Sequence, residues 1–341
     1  MTRREFLSAV VVSPVTAASS KPPVKLGIDL FSIRSSNWSP FEALDYCARL
    51  GVQLVHFSEI RFLGSLEESH VRKVAEHARR LGLELEIGMG SICPSSKRFQ
   101  PEGGPAEKQL AEVIRAAEIA GSKIVRAYLG SWEDRSGPLP IEAHIENTVK
   151  VLKAVRSRAL NAGIQIAIEN HAGDMQAREL KMLVEQAGTD FVGVCLDSGN
   201  PLWAIEDPHH TLRVLAPYTL TSHVRDSLVW RTPKGVAVRW VRAGEGNVDL
   251  AGWIREYLRL CPGRPLTLEV IVTGPRELPF LEPEFWEAYP RVPAAEFARF
   301  LAIAERGQPA PYTPPTPEQR AQREREDLEA SLRWVKQLLG V

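Results

Sequence analysis

A chain of 341 residues with a 44% hydrophobic fraction can bury a large core, and its 42 Lys+Arg balance 42 Asp+Glu to a formal net charge of +0. That balance leaves no electrostatic footprint for nucleic acid or an anionic membrane and suits a small neutral or phosphorylated substrate. The four cysteines, Cys47, Cys93, Cys195 and Cys261, form no CxxC pair and give no sign of a zinc knuckle or disulfide framework, so they read as free thiols.

Residues 1–20 read as a targeting segment. Thr2-Arg3-Arg4-Glu5-Phe6-Leu7 resembles the twin-arginine export signal, and it precedes a short apolar stretch from Ala9 to Val12 and small residues at Ala17 and Ala18. The expected mature protein, residues 21–341, would be exported already folded to the periplasm, with no membrane attachment after cleavage. No other run approaches the ~18 apolar residues of a membrane span.

From residue 25 onward a helix-shaped segment that closes on glycine and feeds an apolar strand recurs. The copies are Leu50-Gly51, Leu81-Gly82, Ala120-Gly121, Ala162-Gly163 and Ala187-Gly188. Glycine just past a helix takes the left-handed conformation without Cβ strain. Helix starts are marked too: Ser39-Pro40 with Glu42 is a capping box with Pro in the first turn, and Asp207-Pro208 repeats the cap. Eight strands are expected near 25–31, 53–57, 83–89, 122–128, 164–169, 191–197, 219–224 and 265–272. Eight βα units point to an α/β fold, a (β/α)8 TIM barrel, in preference to an open doubly wound sheet.

Alternation places the bulky face of these strands against the helices and the small, polar face toward the axis. Four late strands then end on inward residues that can bind a metal: Glu169, Asp197, His223 and Glu269. Oxygen and imidazole donors without thiolate suit one divalent metal ion such as Mn, Mg, Co or Zn. These ends lie at the C-terminal rim, where barrel enzymes build their chemistry from βα loops. Beyond the eighth strand, residues 275–292 carry Phe280, Phe285, Trp286 and Tyr289 among prolines, as a loop over the mouth or as packing. A helix over 294–306, a Pro-rich linker and an amphipathic C-terminal helix over 318–339 complete a C-terminal helical extension, with no second domain.

The motifs IAIENH, VCLDSGN, HVRD, GEGNVD and LEVIV resemble, in combination and order, the xylose isomerase-like barrels of the sugar phosphate isomerase/epimerase family. The superfamily also holds tagatose-type ketose 3-epimerases, inosose dehydratases and apurinic endonucleases. The resemblance runs from about Lys25 to the C-terminal helix. It implies that Glu169, Asp197, His223 and Glu269 ligate one metal and that Glu169 and Glu269 are the catalytic acid and base. It also implies a substrate-binding arginine near Arg231, with Arg225 and Lys234 as competitors.

His56, where many relatives carry an acid, and His171, beside Glu169, are further candidate substrate contacts. Asn200 stands where many relatives have a histidine that contacts substrate; an amide hydrogen-bonds a hydroxyl but shuttles no proton near neutral pH. Asp226 is a candidate partner of His223 or Arg225, and Asp249 is the expected cap of the next helix. The three-metal nucleases need a histidine at Asn200 and an Asp-x-His beyond His223. The segment WRTPKGVAV supplies neither. The expected enzyme is therefore a metal-dependent isomerase or epimerase acting on a small carbohydrate, with no nucleic-acid partner. The alternative is a lyase or dehydratase of a keto-sugar, inosose or 3-keto-glycoside at the same site. Relatives often pair through barrel faces, so a homo-oligomer is also expected.

Overall fold

The computed structural model describes residues 24–341; the export-signal reading of residues 1–20 falls outside them. The barrel strands are β1 (Leu26–Asp29), β2 (Leu54–Phe57), β3 (Glu84–Ser91), β4 (Ile124–Tyr128), β5 (Gln165–Glu169), β6 (Val192–Asp197) and β7 (Thr219–His223). A hairpin of β8 (Asp226–Thr232) and β9 (Gly235–Val241) follows, and β10 (Leu266–Leu268) is the eighth barrel strand. All eight run parallel in the order β10-β1-β2-β3-β4-β5-β6-β7. The ring closes at the β7/β10 seam, where Val224 bridges Leu268 and the Val224 N–H donates to Thr267 O at 2.8 Å. A parallel ring leaves no open edge and has both faces of each strand buried, which is why these strands read as apolar runs.

The local signals do their work where they were read. Ser39 and Glu42 make both hydrogen bonds of the capping box, and Asp207 accepts from the His209 N–H at 3.0 Å. Gly121 and Gly163 end their helices at φ 76° and 63°, in the left-handed region. Asp249 caps its helix by accepting from the Gly252 N–H at 3.0 Å. All four cysteines are free and buried.

Two features differ from expectation. The eighth strand was expected to reach residue 272 but stops at Leu268, because the Val270 N–H turns to Ser32 Oγ (2.9 Å) instead of continuing the ladder. The segment after β7, which lies outside the eight expected strands, is the antiparallel pair β8–β9, joined on its far edge by β11 (Arg276–Leu278). This small sheet and the helix Ala294–Ala304 enclose a satellite core of Val229, Val236, Val238, Phe280, Tyr289 and Phe300 beside the barrel core. The helix Pro317–Leu339 then buries Leu328, Leu332 and Val335 against the barrel wall. Among the described residues no helix is long and apolar enough to cross a membrane.

Candidate metal centre

Glu169 ends β5, Asp197 ends β6, His223 ends β7 and Glu269 follows β10 directly, so four neighbouring strand ends deliver four side chains to one point. One ligand atom from each lies within 4.8 Å of all the others, and all four residues are buried. His223 Nδ1 stands 3.2 Å from Glu169 Oε2 and 3.3 Å from Glu269 Oε2.

Cations and amides hold the carboxylates. Glu169 Oε2 accepts from Arg126 Nε at 2.5 Å, and its Oε1 accepts from Asn200 Nδ2 at 3.0 Å. Burial works to raise the Glu169 carboxyl, but Arg126 and then His223 overcome it and hold it well below the usual carboxylate range. Asp197 Oδ1 accepts from the N–H groups of Gly199 and Asn200 at 2.7 and 2.6 Å. Its Oδ2 lies 2.6 Å from Arg225 Nη2, which also touches Glu269 Oε2. Asn170 ties the ends of β5 and β6 together, donating to Asp197 O at 3.0 Å and accepting from its N–H at 2.9 Å.

The donor set fits one divalent cation. Asp197 Oδ2 and Glu269 Oε2 share the Arg225 cation and, with His223 Nδ1, are buried without a hydrogen bond of good geometry; a divalent cation among them would give all three converging atoms a partner. Three carboxylates and one imidazole, with Cys195 protonated because burial pushes its thiol to about 11, are donors for a hard or borderline ion.

Of the remaining candidates, Asn200 is at the cluster through its bond to Glu169. His171 stacks on Tyr128 at 3.8 Å with Nδ1 2.6 Å from Gly130 O, and burial pushes its imidazole down to about 4, so it is neutral. His56 is displaced from its expected role. It is fully buried behind His223, its Nδ1 3.0 Å from His223 Nε2 and 3.5 Å from Glu86 Oε2, and it does not face a ligand at the mouth. Arg231 is also corrected. It lies exposed on β8 over the Phe280 ring at 5.3 Å, because six residues of extended strand carry it roughly 20 Å from Arg225. Lys234 sits exposed at the hairpin turn. Asp226 does not orient His223; it accepts from the N–H groups of Gly244 and Gly246 at 2.8 and 3.1 Å and fixes that turn.

Three functional neighbours escaped the sequence. Asp29 ends β1, with Oδ2 3.1 Å from His223 Nε2. It obeys the same apolar-run-then-acid rule as the others but was hidden inside a strand taken to end at 31. Arg126 lies on the inward face of β4, and only the alternation of IVRAY could have revealed it. Trp240, stacked 4.5 Å from the Arg225 guanidinium, comes from the hairpin and had no signal.

The sequence profile of the xylose isomerase-like TIM barrels matches residues 44–283. The chain belongs to the xylose isomerase-like TIM barrel family. Among curated proteins it is 24% identical over 216 residues to the uncharacterized protein YihM of Escherichia coli, spanning 63% of this chain and 60% of that one. It is 23% identical over 211 residues to the 3-oxo-isoapionate decarboxylase of Pectobacterium atrosepticum, spanning 61% and 64%. The match thus covers less than two thirds of either relative. D-Psicose 3-epimerase from Clostridium cellulolyticum H10, solved with D-tagatose, superposes with a TM-score of 0.60 at 14% identity, over 92% of this chain and 99% of that one. This likeness shows that the two xylose isomerase-like barrels share a fold.

Proposed function

We propose that this protein is a divalent-metal-dependent isomerase or epimerase of a sugar or sugar derivative, with Glu169 and Glu269 as the proton-transfer pair. The observation that carries the reading is the approach of both glutamates to the same atom, His223 Nδ1, from two sides of one buried cluster. Glu169, Asp197, His223 and Glu269 would hold the ion. Bound there, a divalent ion supplies polarisation of a substrate carbonyl and stabilisation of the charge that develops beside it.

The chain's own residues do the rest. Arg126 keeps Glu169 ionised, so that it can accept a proton from the carbon next to the carbonyl at neutral pH. Asn200 holds Oε1 of Glu169 and Arg126 holds Oε2, so the two fix the orientation of the carboxylate beside His223. Glu269, reaching in from the other side, returns a proton to the opposite face, which gives epimerisation, or to the neighbouring carbon, which gives isomerisation. Strand ends and buried partners hold both glutamates, so little reorganisation accompanies each transfer. The sugar epimerase of the same fold supports a carbohydrate substrate. Twin-arginine export, from residues 2–7, would put the enzyme in contact with extracellular glycosides.

The second reading is a lyase at the same site, favoured by the similarity to the 3-oxo-isoapionate decarboxylase. It shares the charge developing beside a carbonyl and differs in what leaves. Proton NMR in deuterated water, with metal and a panel of ketoses, inososes and 3-keto-glycosides, tests both. Deuterium entering next to a carbonyl with an isomer as product supports the isomerase, and a released fragment supports the lyase. Absence of stoichiometric metal after reconstitution would sink both.

A further inference from the structure

A cavity of about 530 Å³ is walled by the loops that follow β4, β6 and β10, at the strand ends that also carry Glu169, Asp197 and Glu269. That volume is within the ~300–1,000 Å³ typical of small-molecule sites. Trp132, Trp203, Phe285 and Tyr289 give it apolar walls, and Arg276 lines it. The Arg276 guanidinium is sandwiched between two indoles, 4.1 Å from the Trp132 ring and 4.6 Å from the Trp203 ring. Trp203 in turn stacks on Trp240 at 4.3 Å and 9°, and Trp240 stacks on Arg225 of the metal cluster at 4.5 Å. A continuous column of planar groups therefore joins the cluster to the cavity.

Arg276 is half-buried and differs from Arg135 in the pairing of its guanidinium. Arg135, in the same wall, is bonded through all three nitrogens, to Asp174 O, Ala288 O and Glu179. Arg276 forms no side-chain hydrogen bond or ion pair among the described residues, and its Nε is buried without a partner. Burial pushes its guanidinium down to about 10 with no bonded acid to offset the cost. A guanidinium fixed in plane by aromatic stacking and left with free N–H groups is a ready bidentate receptor for an oxyanion. The cavity lining sets Arg276, as its unpaired cation, against Glu277, Glu284 and Glu287, with Arg135 engaged by Glu179 and Glu277 accepting from Thr232 Oγ1. That balance favours a monoanion over a phosphate dianion.

We infer that Arg276, clamped between Trp132 and Trp203, binds a carboxylate on the distal ring or aglycone of a glycoside whose sugar ring occupies the metal cluster. Three successive stacking distances separate Arg276 from Arg225, a span that one sugar ring does not bridge and two linked rings do. The inference rests on the proposed function for the role of the cluster, but the anion receptor itself is independent of metal.

Calorimetric titration of metal-loaded and metal-free protein with 4-carboxyphenyl β-D-glucoside, its neutral 4-carbamoyl analogue and its 4-phosphonooxy analogue tests it. The carboxylate is expected to bind at least tenfold more tightly than the amide, with the ratio falling to about one in Arg276→Gln and partly recovering in Arg276→Lys. The Glu269→Gln variant, which addresses the proton-transfer reading, should keep that preference; its retention alongside absent metal would defeat the metal reading alone. No binding of the carboxylate, a preference that survives Arg276→Gln in protein with an unchanged melting profile, or tighter binding of the phosphate would each overturn the inference.

Discussion

Asp29 Oδ2 lies 3.1 Å from His223 Nε2, which also stands 3.0 Å from His56 Nδ1, and the opposite nitrogen of the same ring, Nδ1, is the one presented to Glu169 and Glu269. A carboxylate behind a ligating imidazole fixes its tautomer and raises its basicity, and losing one typically costs ten- to a hundredfold in metal affinity. Asp29→Asn is therefore expected to weaken divalent-metal binding by about that factor while the far-ultraviolet dichroism stays unchanged. Metal titration of the two proteins checks it, and equal affinities would remove Asp29 from the site.

Arg126 and Glu169 are a buried ion pair, and the Arg126 guanidinium also reaches Met89 O at 3.2 Å. Removing one partner of such a pair leaves an uncompensated charge, at a cost of about 3–5 kcal/mol. Arg126→Met should lower unfolding stability by about that amount in urea at neutral pH. A loss well under 1 kcal/mol would mean that Glu169 finds other compensation.

Glu269→Gln keeps the shape of the side chain and removes its ability to carry a proton. If it is one of the two transfer groups, turnover should fall by about 10²–10⁴-fold, with weaker metal binding and an unchanged fold. Turnover near the wild-type rate would assign the proton transfer elsewhere.

Glu206 is fully enclosed, accepting from Thr211 Oγ1 and from the Ala177 N–H at 3.1 Å. Glu296 and Glu179 face it, and they in turn hold His210, Arg178 and Arg135. Burial pushes its carboxyl up to about 7. A folded-state value above the unfolded one means that the folded protein holds this proton more tightly. The associated stability is present in full below about pH 4.5 and is lost as pH rises through about 7. Relative to Glu206→Gln, the wild type should lose about 3 kcal/mol between those limits. Urea unfolding across that pH range measures it, and parallel curves for the two proteins would contradict it.

The barrel was legible because its signals are local and repeated. A glycine after each helix and an apolar run ending on a polar residue need no knowledge of distant contacts, and Glu169, Asp197, His223 and Glu269 were found that way. What the sequence hid depends on where chains go after leaving the barrel. The β8–β9 turn at Pro233-Lys234 carries none of the Asn-Gly or Asp-Gly chemistry that marks tight hairpins, so nothing local shows that the chain carrying Arg231, the arginine the resemblance implies, climbs away from the site. Arg225 was weighed only as its competitor, although it takes the position between Asp197 and Glu269. His56 was right in direction and wrong in depth. Inward alternation says which side of a strand a residue occupies, but His223 stands in front of it.

The small sheet has a consequence for how this enzyme could acquire a new substrate. Because β11 pairs with β9 and β9 with β8, the excursions after β7 and β10 are woven into one fabric, carrying Trp240 on one thread and Arg276 on another. Grafting either excursion alone from a relative would tear three strands and the satellite core beneath them. Exchanged together, residues 226–241 and 270–292 would be replaced as one unit, leaving Glu169, Asp197, His223 and Glu269 in place.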